Sequence, residues 1–284
     1  METTHHDDIR QAVRKAYEKV AKKSTADSGG SQATSCCGPS NNPTDVKIGS
    51  TCGCGGTNLS LEQLSATIGY TKADVESVPE GSNMGLGCGN PIALASLKPG
   101  ETVVDLGSGG GFDCFLAAKK VGETGRVIGV DMTPEMVSKA RKNAEKMRMD
   151  NVEFRLGEIE NLPVGDNCAD IIISNCVVNL SPDKMKVYRD SYRILKPGGR
   201  LVISDILATA RLPEEIKNNL ALLAACVSGA ETFTDTEQTL KKAGFQEVVI
   251  KPNNNSGKLL REWNPVISKN AADYVVSATI EAIK

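Results

Sequence analysis

The stretch VVDLGSGGGFD, residues 103–113, decides the fold class. An apolar run passes directly into glycines, which let the backbone turn tightly and approach a ligand at the start of a helix. The spacing is not the dinucleotide fingerprint G-x-G-x-x-G, because Phe112 occupies the sixth position counted from Gly107. The run instead has the pattern D-x-G-x-G-x-G, made of Asp105, Gly107, Gly109 and Gly111.

From residue 100 onward, the chain alternates between short runs rich in β-branched residues and longer helical stretches. Such alternation predicts a doubly wound α/β fold, in which a parallel sheet carries helices on both faces. The predicted strands are 101–106, 126–131, 151–156, 169–174 and 200–205, and the predicted helices are 112–121, 134–147 and 182–195. Two further strands, predicted at 247–251 and 273–282, complete the sheet.

The N-terminal part of the chain has a different composition. Residues 9–23 place apolar side chains at helical spacing, which predicts an amphipathic helix. The following residues are mostly Gly, Ser, Thr, Asn and Cys, and they carry too few large apolar side chains to offset their ordering entropy. We therefore expect four regions: an N-terminal helix at 1–23, a flexible Gly/Ser/Cys-rich segment at 24–58, a cofactor-binding domain at 59–210, and a C-terminal region at 211–284.

The composition narrows the possible partners and the location. Lys and Arg total 33 against 35 Asp and Glu, so the net charge of −2 leaves no basic surplus to neutralise the phosphates of a nucleic acid. The N terminus has no apolar signal segment, and the chain has no run of eighteen apolar residues. We expect a cytoplasmic protein with neither a nucleic acid nor a membrane as its partner.

Cysteine is the unusual resource of this sequence. The nine cysteines are Cys36, Cys37, Cys52, Cys54, Cys88, Cys114, Cys168, Cys176 and Cys226. An odd number without a secretory signal favours reactive or ligating thiols over a disulfide scaffold. A structural zinc site is disfavoured, because no C-x-x-C pair occurs and the only histidines are His5 and His6.

The glycine segment resembles motif I of the class I S-adenosylmethionine methyltransferases, a Rossmann-like fold family, although other nucleotide binders also carry such loops. Asp131 strengthens the resemblance, since a carboxylate at the end of the second strand can accept hydrogen bonds from both ribose hydroxyls. Capping of the next helix beside Thr133 is its alternative role. The resemblance implies S-adenosylmethionine as the cofactor, bound by Asp105, Gly107, Ser108, Gly109, Asp131, Met132, Ile159 and Asn175.

Residue types that the chain lacks restrict the chemical class of the methyl acceptor. The fourth predicted strand is followed by Ser-Asn-Cys-Val, not by the Asn/Asp-Pro-Pro-aromatic run of amino-methylating enzymes of this fold. No histidine beyond residue 6 is available as a general base for an oxygen acceptor. If Cys88, Cys176 and Cys226 meet over the crevice, they form a soft three-sulfur site, which suits trivalent arsenic and leaves its lone pair free to attack a methyl group.

Five segments together resemble the arsenite methyltransferases. They are DLGSGGGFDC at 105–114, GVDMTPEMV at 129–137, SNCVVNLSPDK at 174–184, GLGCGNP at 85–91, and the cysteine that follows LPEEI at 212–216. The similarity runs from about Arg10 to the C terminus and is weaker across 24–58. It implies arsenic(III) ligation by Cys176 and Cys226, with Cys88 as third ligand and redox partner, and it places an arsenic-binding helix within 211–284.

The resemblance also implies a thiol relay, because methylation oxidises arsenic and two electrons must return. Cys88 is expected to form a disulfide with a cysteine of the N-terminal segment, and the pair Cys36 and Cys37 is preferred, although Cys52 and Cys54 stay open. An external thiol reductant, thioredoxin or glutathione, would reset the relay. Two other interpretations remain: a methyltransferase for an organic carbon or oxygen acceptor, and a thiol protein that binds metalloids without catalysis.

Overall fold

The computed structural model describes residues 2–26, 60–253 and 269–284. The expectations for Cys36, Cys37 and the rest of the Gly/Ser/Cys-rich segment beyond residue 26 therefore lie outside the described residues. Where the sequence predicts a helix ending at residue 23, the helix continues to Ala26. No helix in the described ranges is both long enough and apolar enough to cross a lipid bilayer.

Seven strands form one sheet in the described part of the chain. They are β1 (Thr102–Leu106), β2 (Arg126–Asp131), β3 (Val152–Leu156), β4 (Ala169–Asn175), β5 (Leu195–Ala208), β6 (Gln246–Pro252) and β7 (Val275–Ile283). Their order across the sheet is β3-β2-β1-β4-β5-β7-β6. Neighbouring strands are parallel from β3 to β5, and β7 runs antiparallel to both β5 and β6.

The helices connect the strands and cover both faces of the sheet. They are α1 (Glu2–Ala26), α2 (Leu61–Thr67), α3 (Lys72–Glu76), α4 (Pro91–Leu94), α5 (Phe112–Val121), α6 (Pro134–Met147), α7 (Lys184–Ile194), α8 (Glu214–Lys217), α9 (Leu220–Ala224), α10 (Phe233–Ala243) and α11 (Lys269–Ala272). The predicted α/β class is confirmed.

Alternate residues of the central strands enter different cores. Val103 and Ile171 belong to one apolar cluster, whereas their neighbours Val104 and Ile172 belong to another. All four are fully buried. This two-residue period is expected when helices cover both faces of a sheet, and it explains why the strands read as continuous apolar runs.

The order of the strands determines where a ligand binds. The chain moves outward in one direction from β1 to β2 and β3, and it then crosses back to place β4 and β5 on the other side of β1. A crevice opens beyond the carboxyl ends of the strands at such a switch point. The segments after β1, β2 and β4 therefore converge at one edge of the sheet.

Candidate active site

A glycine-rich loop joins β1 to α5 and lines a cavity at this edge. Gly107 has a φ of +71°, and a Cβ atom there would overlap the side chain of Val177, so only glycine lets the loop pass so close. Gly109 is also left-handed, with a φ of +51°, and its N–H donates to Asp131 Oδ2 at 2.9 Å. The loop is therefore fixed between the end of β2 and the segment after β4.

Asp131 ends β2 and lines the cavity, and it also bonds to the backbone of Thr133 just before α6. Its Oδ1 accepts a hydrogen bond from the Thr133 N–H at 2.8 Å, and its Oδ2 accepts the one from Gly109. Burial raises the pKa of the Asp131 carboxyl, and these backbone donors oppose that shift. Each oxygen keeps a second lone pair, so the carboxylate can still accept from two hydroxyl groups of a ligand.

Two buried carboxyl groups lie beneath the glycine loop. Asp105 Oδ2 accepts from the thiol of Cys114 at 3.2 Å, and Asp113 Oδ1 accepts from the Tyr70 hydroxyl at 2.5 Å. Burial, followed by repulsion from Asp113, raises the pKa of Asp105 well above its ordinary value. Burial also raises the pKa of Asp113 to about 6, although hydrogen bonds from Tyr70 and Asn175 oppose the shift. This acidic pole favours a cationic ligand.

Ser108 supplies a direct test of whether this end of the cavity fits a polar ligand. Its side chain lines the cavity and is 7% exposed, and its Oγ is buried without a hydrogen-bond partner in the described part of the structure. An unpartnered buried hydroxyl is costly unless a ligand or water completes it. Together with Asp131 and the acidic pole, it fits a ligand that carries hydroxyl groups and positive charge, as S-adenosylmethionine does.

A second part of the cavity wall, called the cysteine end below, contains cysteines. Cys176 follows β4 and Cys226 lies just beyond α9, and both line the cavity. Both have left-handed backbone conformations, with φ values of +56° and +61°. Such values are uncommon for residues other than glycine, and they cluster at functional sites.

Hydrogen bonds hold both strained cysteines in place. The Cys176 N–H still donates to the Ser204 carbonyl at 2.8 Å, and the Cys226 N–H donates to the Leu223 carbonyl at 2.8 Å. The Cys226 thiol donates to the Cys176 carbonyl at 2.8 Å. The two cysteines are therefore direct neighbours although 50 residues separate them in sequence.

Cys88 forms a disulfide with Cys176. This differs from the expected pairing of Cys88 with a cysteine of the N-terminal segment, all four of which lie outside the described residues. The pairing follows from the fold, because the glycine-rich turn that carries Cys88 lies against the end of β4. The sulfur atoms of Cys88 and Cys176 and a carboxylate oxygen of Asp205 all lie within 4.8 Å of one another.

Helix α1 covers the cavity from outside the sheet. Val13 and Tyr17 line the cavity, and Arg10 forms ion pairs with Glu158 and Glu160. The Tyr17 hydroxyl donates to the Ala224 carbonyl at 3.5 Å and interacts with the Cys226 thiol. Helix α1 therefore touches the cysteine end directly.

The Cys226 thiol has opposing influences on its ionisation. Burial and then the Asp205 carboxylate raise the pKa of this thiol well above its ordinary value. The interaction with the Tyr17 hydroxyl lowers the pKa of the thiol in part. The thiol is therefore protonated in the ligand-free protein, and it would have to lose its proton to act as a ligand.

The structure places most of the predicted site residues around one cavity. The residues that line it are Asp105, Gly107, Ser108, Gly109, Asp131, Met132, Ile159, Asn175, Cys176 and Cys226. Cys88 is buried and bonded to Cys176. The side chain of Asn175, which was expected to bind the cofactor, makes its described hydrogen bonds to Tyr70, Asp113 and the turn that carries Cys88.

Sequence reasoning missed Tyr17, Asp113 and Asp205. Asp205 ends a predicted strand, as Asp131 does, so the same strand-end rule points to it. Asp113 is the last residue of the stretch that decides the fold class. Tyr17 gives no such signal, because an aromatic residue at helical spacing is indistinguishable from an ordinary core contact.

Known proteins resemble this chain at two levels of detail. Residues 97–248 match the family model of the methyltransferase domain. The chain is 47% identical over 280 residues to an arsenite methyltransferase of Halobacterium salinarum, which covers 98% of this chain and 67% of that protein. It is 43% identical over 176 residues to an arsenite methyltransferase of Aquipseudomonas alcaligenes, which covers 60% of this chain and 50% of that protein.

The fold comparison agrees with the sequence comparison. A crystal structure of an arsenic(III) S-adenosylmethionine methyltransferase from Chlamydomonas reinhardtii superposes with a TM-score of 0.59 at 31% identity, over 78% of this chain and 72% of that chain. The chain thus spans about two thirds of the halobacterial relative and half of the Aquipseudomonas relative. The matched domain, the near full-length identity and the shared fold show that this chain belongs to the arsenite methyltransferase family.

Proposed function

We propose that this protein transfers the methyl group of S-adenosylmethionine to thiol-bound trivalent arsenic, converting arsenite to methylated arsenicals and so detoxifying it. The observation that carries the proposal is that one cavity is lined both by the glycine loop and by Cys176 and Cys226. The relatives named as arsenite methyltransferases support the same reaction.

The cofactor end of the cavity has the groups that this cofactor requires. Asp131 would accept hydrogen bonds from the ribose hydroxyls, and Ser108 would find the partner it lacks. Asp105 and Asp113 would neutralise positive charge. When bound, S-adenosylmethionine supplies an electrophilic methyl carbon attached to a sulfonium ion. The task of the surrounding residues is to orient this group and to exclude water.

The cysteine end would hold the arsenic substrate. Soft thiolates select soft ions, and arsenite exchanges its hydroxyl groups for sulfur, so each thiol that binds releases one water molecule. The proton now held between Cys226 and the Cys176 carbonyl leaves in that water. Three thiols leave one lone pair on arsenic. Because no proton moves in the methyl transfer itself, we expect positioning to supply most of the rate enhancement.

Return of the arsenic to the trivalent state needs two electrons. Two arsenic-bound sulfurs, which have already lost their protons, would supply them: two As–S bonds break, one S–S bond forms and two electrons return to the arsenic. The pairing of Cys88 with Cys176 is one such product. The N-terminal cysteines, Cys36 and Cys37 above all, would then exchange with this disulfide. Thioredoxin or glutathione would reduce the relay, which places the reaction in the cytoplasm, where such reductants keep thiols reduced.

We assign the parts of the reaction to the four regions of the chain. The helix at 1–23 covers the cavity, and the segment at 24–58 carries relay cysteines. Residues 59–210 form the S-adenosylmethionine-binding methyltransferase domain. Residues 211–284 supply the arsenic-binding helix with Cys226 and complete the sheet.

The decisive experiment is an assay of reduced protein with arsenite, methyl-labelled S-adenosylmethionine and glutathione, followed by separation of the arsenic species. Cys176→Ser should reduce formation of methylated arsenic to background and should leave the cofactor dissociation constant within about twofold. Cys168→Ser is the matched control, because Cys168 is an exposed thiol outside the cavity.

The outcomes separate the proposal from its two competitors. Undiminished activity in Cys176→Ser would refute the ligand assignment. Labelled products without arsenic would indicate an organic acceptor, and tight arsenite binding without any labelled product would indicate a non-catalytic metalloid binder.

A further inference from the structure

The side chain of Asn175 holds the backbone on both sides of the Cys88 side chain. Its Oδ1 accepts a hydrogen bond from the Cys88 N–H at 3.0 Å, and its Nδ2 donates to the Gly89 carbonyl at 2.9 Å. Asn175 directly precedes Cys176, so one side chain ties the turn that carries Cys88 to the strand that carries its partner. The Ser277 hydroxyl donates to the Cys88 carbonyl at 2.8 Å and anchors the same turn to β7.

Tyr70 and Asp113 help to fix the orientation of the Asn175 amide. The Tyr70 hydroxyl donates to Asp113 Oδ1 at 2.5 Å, because an ionised carboxylate only accepts. The same hydroxyl oxygen must then accept from Asn175 Nδ2, which lies 3.0 Å away. The hydrogen bonds thus run from Asn175 through Tyr70 to Asp113, and Asn175 Nδ2 also donates directly to Asp113 Oδ2 at 3.3 Å. Both acceptors favour the orientation in which the amide oxygen faces the Cys88 N–H.

The packing around this chain of hydrogen bonds leaves little freedom for other arrangements. A Cβ atom at Gly87, the residue before Cys88, would lie 2.7 Å from Asn175 Nδ2, so the turn rests directly on the amide. Tyr70 is 3% exposed, and its ring packs edge-on against Phe112 with 4.8 Å between centroids. A rotation of the Asn175 amide would therefore displace the turn that carries Cys88.

We propose that Tyr70 is a positioning residue for the thiol of Cys88, acting through the amide of Asn175. Tyr70 helps, with Asp113, to fix the donor and acceptor ends of the amide, the amide fixes the turn, and the turn presents the Cys88 sulfur to Cys176. The proposal deepens the arsenite methyltransferase reaction and rests on it for its biological meaning. Its physical content, the placement of one sulfur beside another, is measurable without arsenic.

The first test is a redox equilibrium in the absence of arsenic and cofactor. The Cys88–Cys176 disulfide reacts with two glutathione molecules to give two protein thiols and one glutathione disulfide, and peptide-resolved mass spectrometry after alkylation measures the ratio. Tyr70→Phe keeps the ring and removes the hydroxyl. We expect it to lower the equilibrium constant for forming this disulfide by about 3- to 10-fold, the effect of one lost buried hydrogen bond.

The matched control is Tyr192→Phe, because the Tyr192 ring packs against Phe245 and beneath Lys284 Nζ, away from the cavity. It should leave the equilibrium unchanged. Asp113→Asn is a second variant, since its amide would oppose Asn175 Nδ2, and it should shift the equilibrium in the same direction as Tyr70→Phe. Wild-type values in both Tyr70→Phe and Asp113→Asn would overturn the proposal.

The second test is a double-mutant cycle on arsenite affinity. Tyr70→Phe should weaken arsenite binding about 3- to 10-fold when Cys88 is present and should have no effect in a Cys88→Ser background. An equal loss in both backgrounds would mean that Tyr70 does not act through Cys88, and the proposal would fail. If the protein binds no arsenite at all, the proposed function fails, while the glutathione equilibrium still decides the role of Tyr70.

Discussion

The two ends of the cavity are built in opposite ways. Most polar groups of the cofactor end come from two short stretches of chain, the segment that follows β1 and the end of β2. The cost of this end is electrostatic because carboxyl groups are buried there. The cysteine end comes from three separate turns, and its cost is conformational because Cys176 and Cys226 have left-handed backbones. In the proposed reaction, a contiguous motif thus serves the cofactor common to the fold, and the convergence of distant segments serves the acceptor.

The largest effect that tests this comparison is expected at Asp131. Asp131→Ala removes the acceptor of the Gly109 and Thr133 N–H groups and the predicted acceptor of the ribose hydroxyls. Hydrogen bonds to a charged group are worth about 1.5–3 kcal/mol, so cofactor binding should weaken by roughly 10- to 100-fold in isothermal titration calorimetry.

The same variant should retain the arsenite affinity of the wild type, since the cysteine end receives no hydrogen bond from Asp131 in the described structure. If arsenite binding falls as far as cofactor binding does, the two ends of the cavity do not act independently. The two ends would then form one cooperative unit.

The same contrast explains how much the sequence predicts. The strands and the glycine loop follow from local patterns, so the predicted and observed bounds of β1, β2 and α5 differ by at most one residue. The placement of Asp131 follows from the general rule for strand ends. These features need only near neighbours in sequence, and the resemblance to class I methyltransferases depends on them.

The cysteine end is predictable only through resemblance. Nothing in the local sequence states that Cys88 meets Cys176 across 88 residues, or that Asn175 turns its amide toward that turn. Tyr17 reaches Cys226 from the N-terminal helix, which helical periodicity alone cannot reveal. Contacts of this kind depend on the packing of distant elements, and only the folded structure displays them.

The buried carboxyl groups of the cofactor end give a prediction whose expected effect is intermediate in magnitude. Asp113 has a pKa of about 6 in the folded protein, against an ordinary value of 3.8. The folded state therefore holds this proton more tightly than the unfolded state, and the associated stability is complete below pH 4 and is lost as the pH rises to 6. Asp113→Asn removes this loss, and it also removes the repulsion that raises the pKa of Asp105.

Urea denaturation at pH 4.5 and pH 7 measures the effect. The unfolding free energy of Asp113→Asn, relative to that of wild type, should be roughly 1–2 kcal/mol higher at pH 7 than at pH 4.5. One pKa unit corresponds to about 1.4 kcal/mol. The difference between Asp113→Asn and wild type at each pH cancels the contributions of ion pairs elsewhere in the chain to the unfolding free energy. A pH-independent difference would show that Asp113 carries no buried charge.

The left-handed backbone at the cysteine end gives the prediction with the smallest expected effect, and its cause is conformational, not electrostatic. A left-handed backbone costs an L-residue about 1–2 kcal/mol, and glycine escapes this cost. Cys226→Gly should therefore be more stable than Cys226→Ala by about 1 kcal/mol, although both lose the same thiol and its hydrogen bond to Cys176.

Cys114 is the matched control because it is equally buried but lies inside α5. There the order should reverse, with Cys114→Gly less stable than Cys114→Ala by about 1 kcal/mol, since glycine is disfavoured within a helix. Thermal unfolding of the four variants measures these differences in stability. If glycine and alanine rank in the same order at both positions, no backbone strain is stored at Cys226, and only its thiol distinguishes the cysteine end.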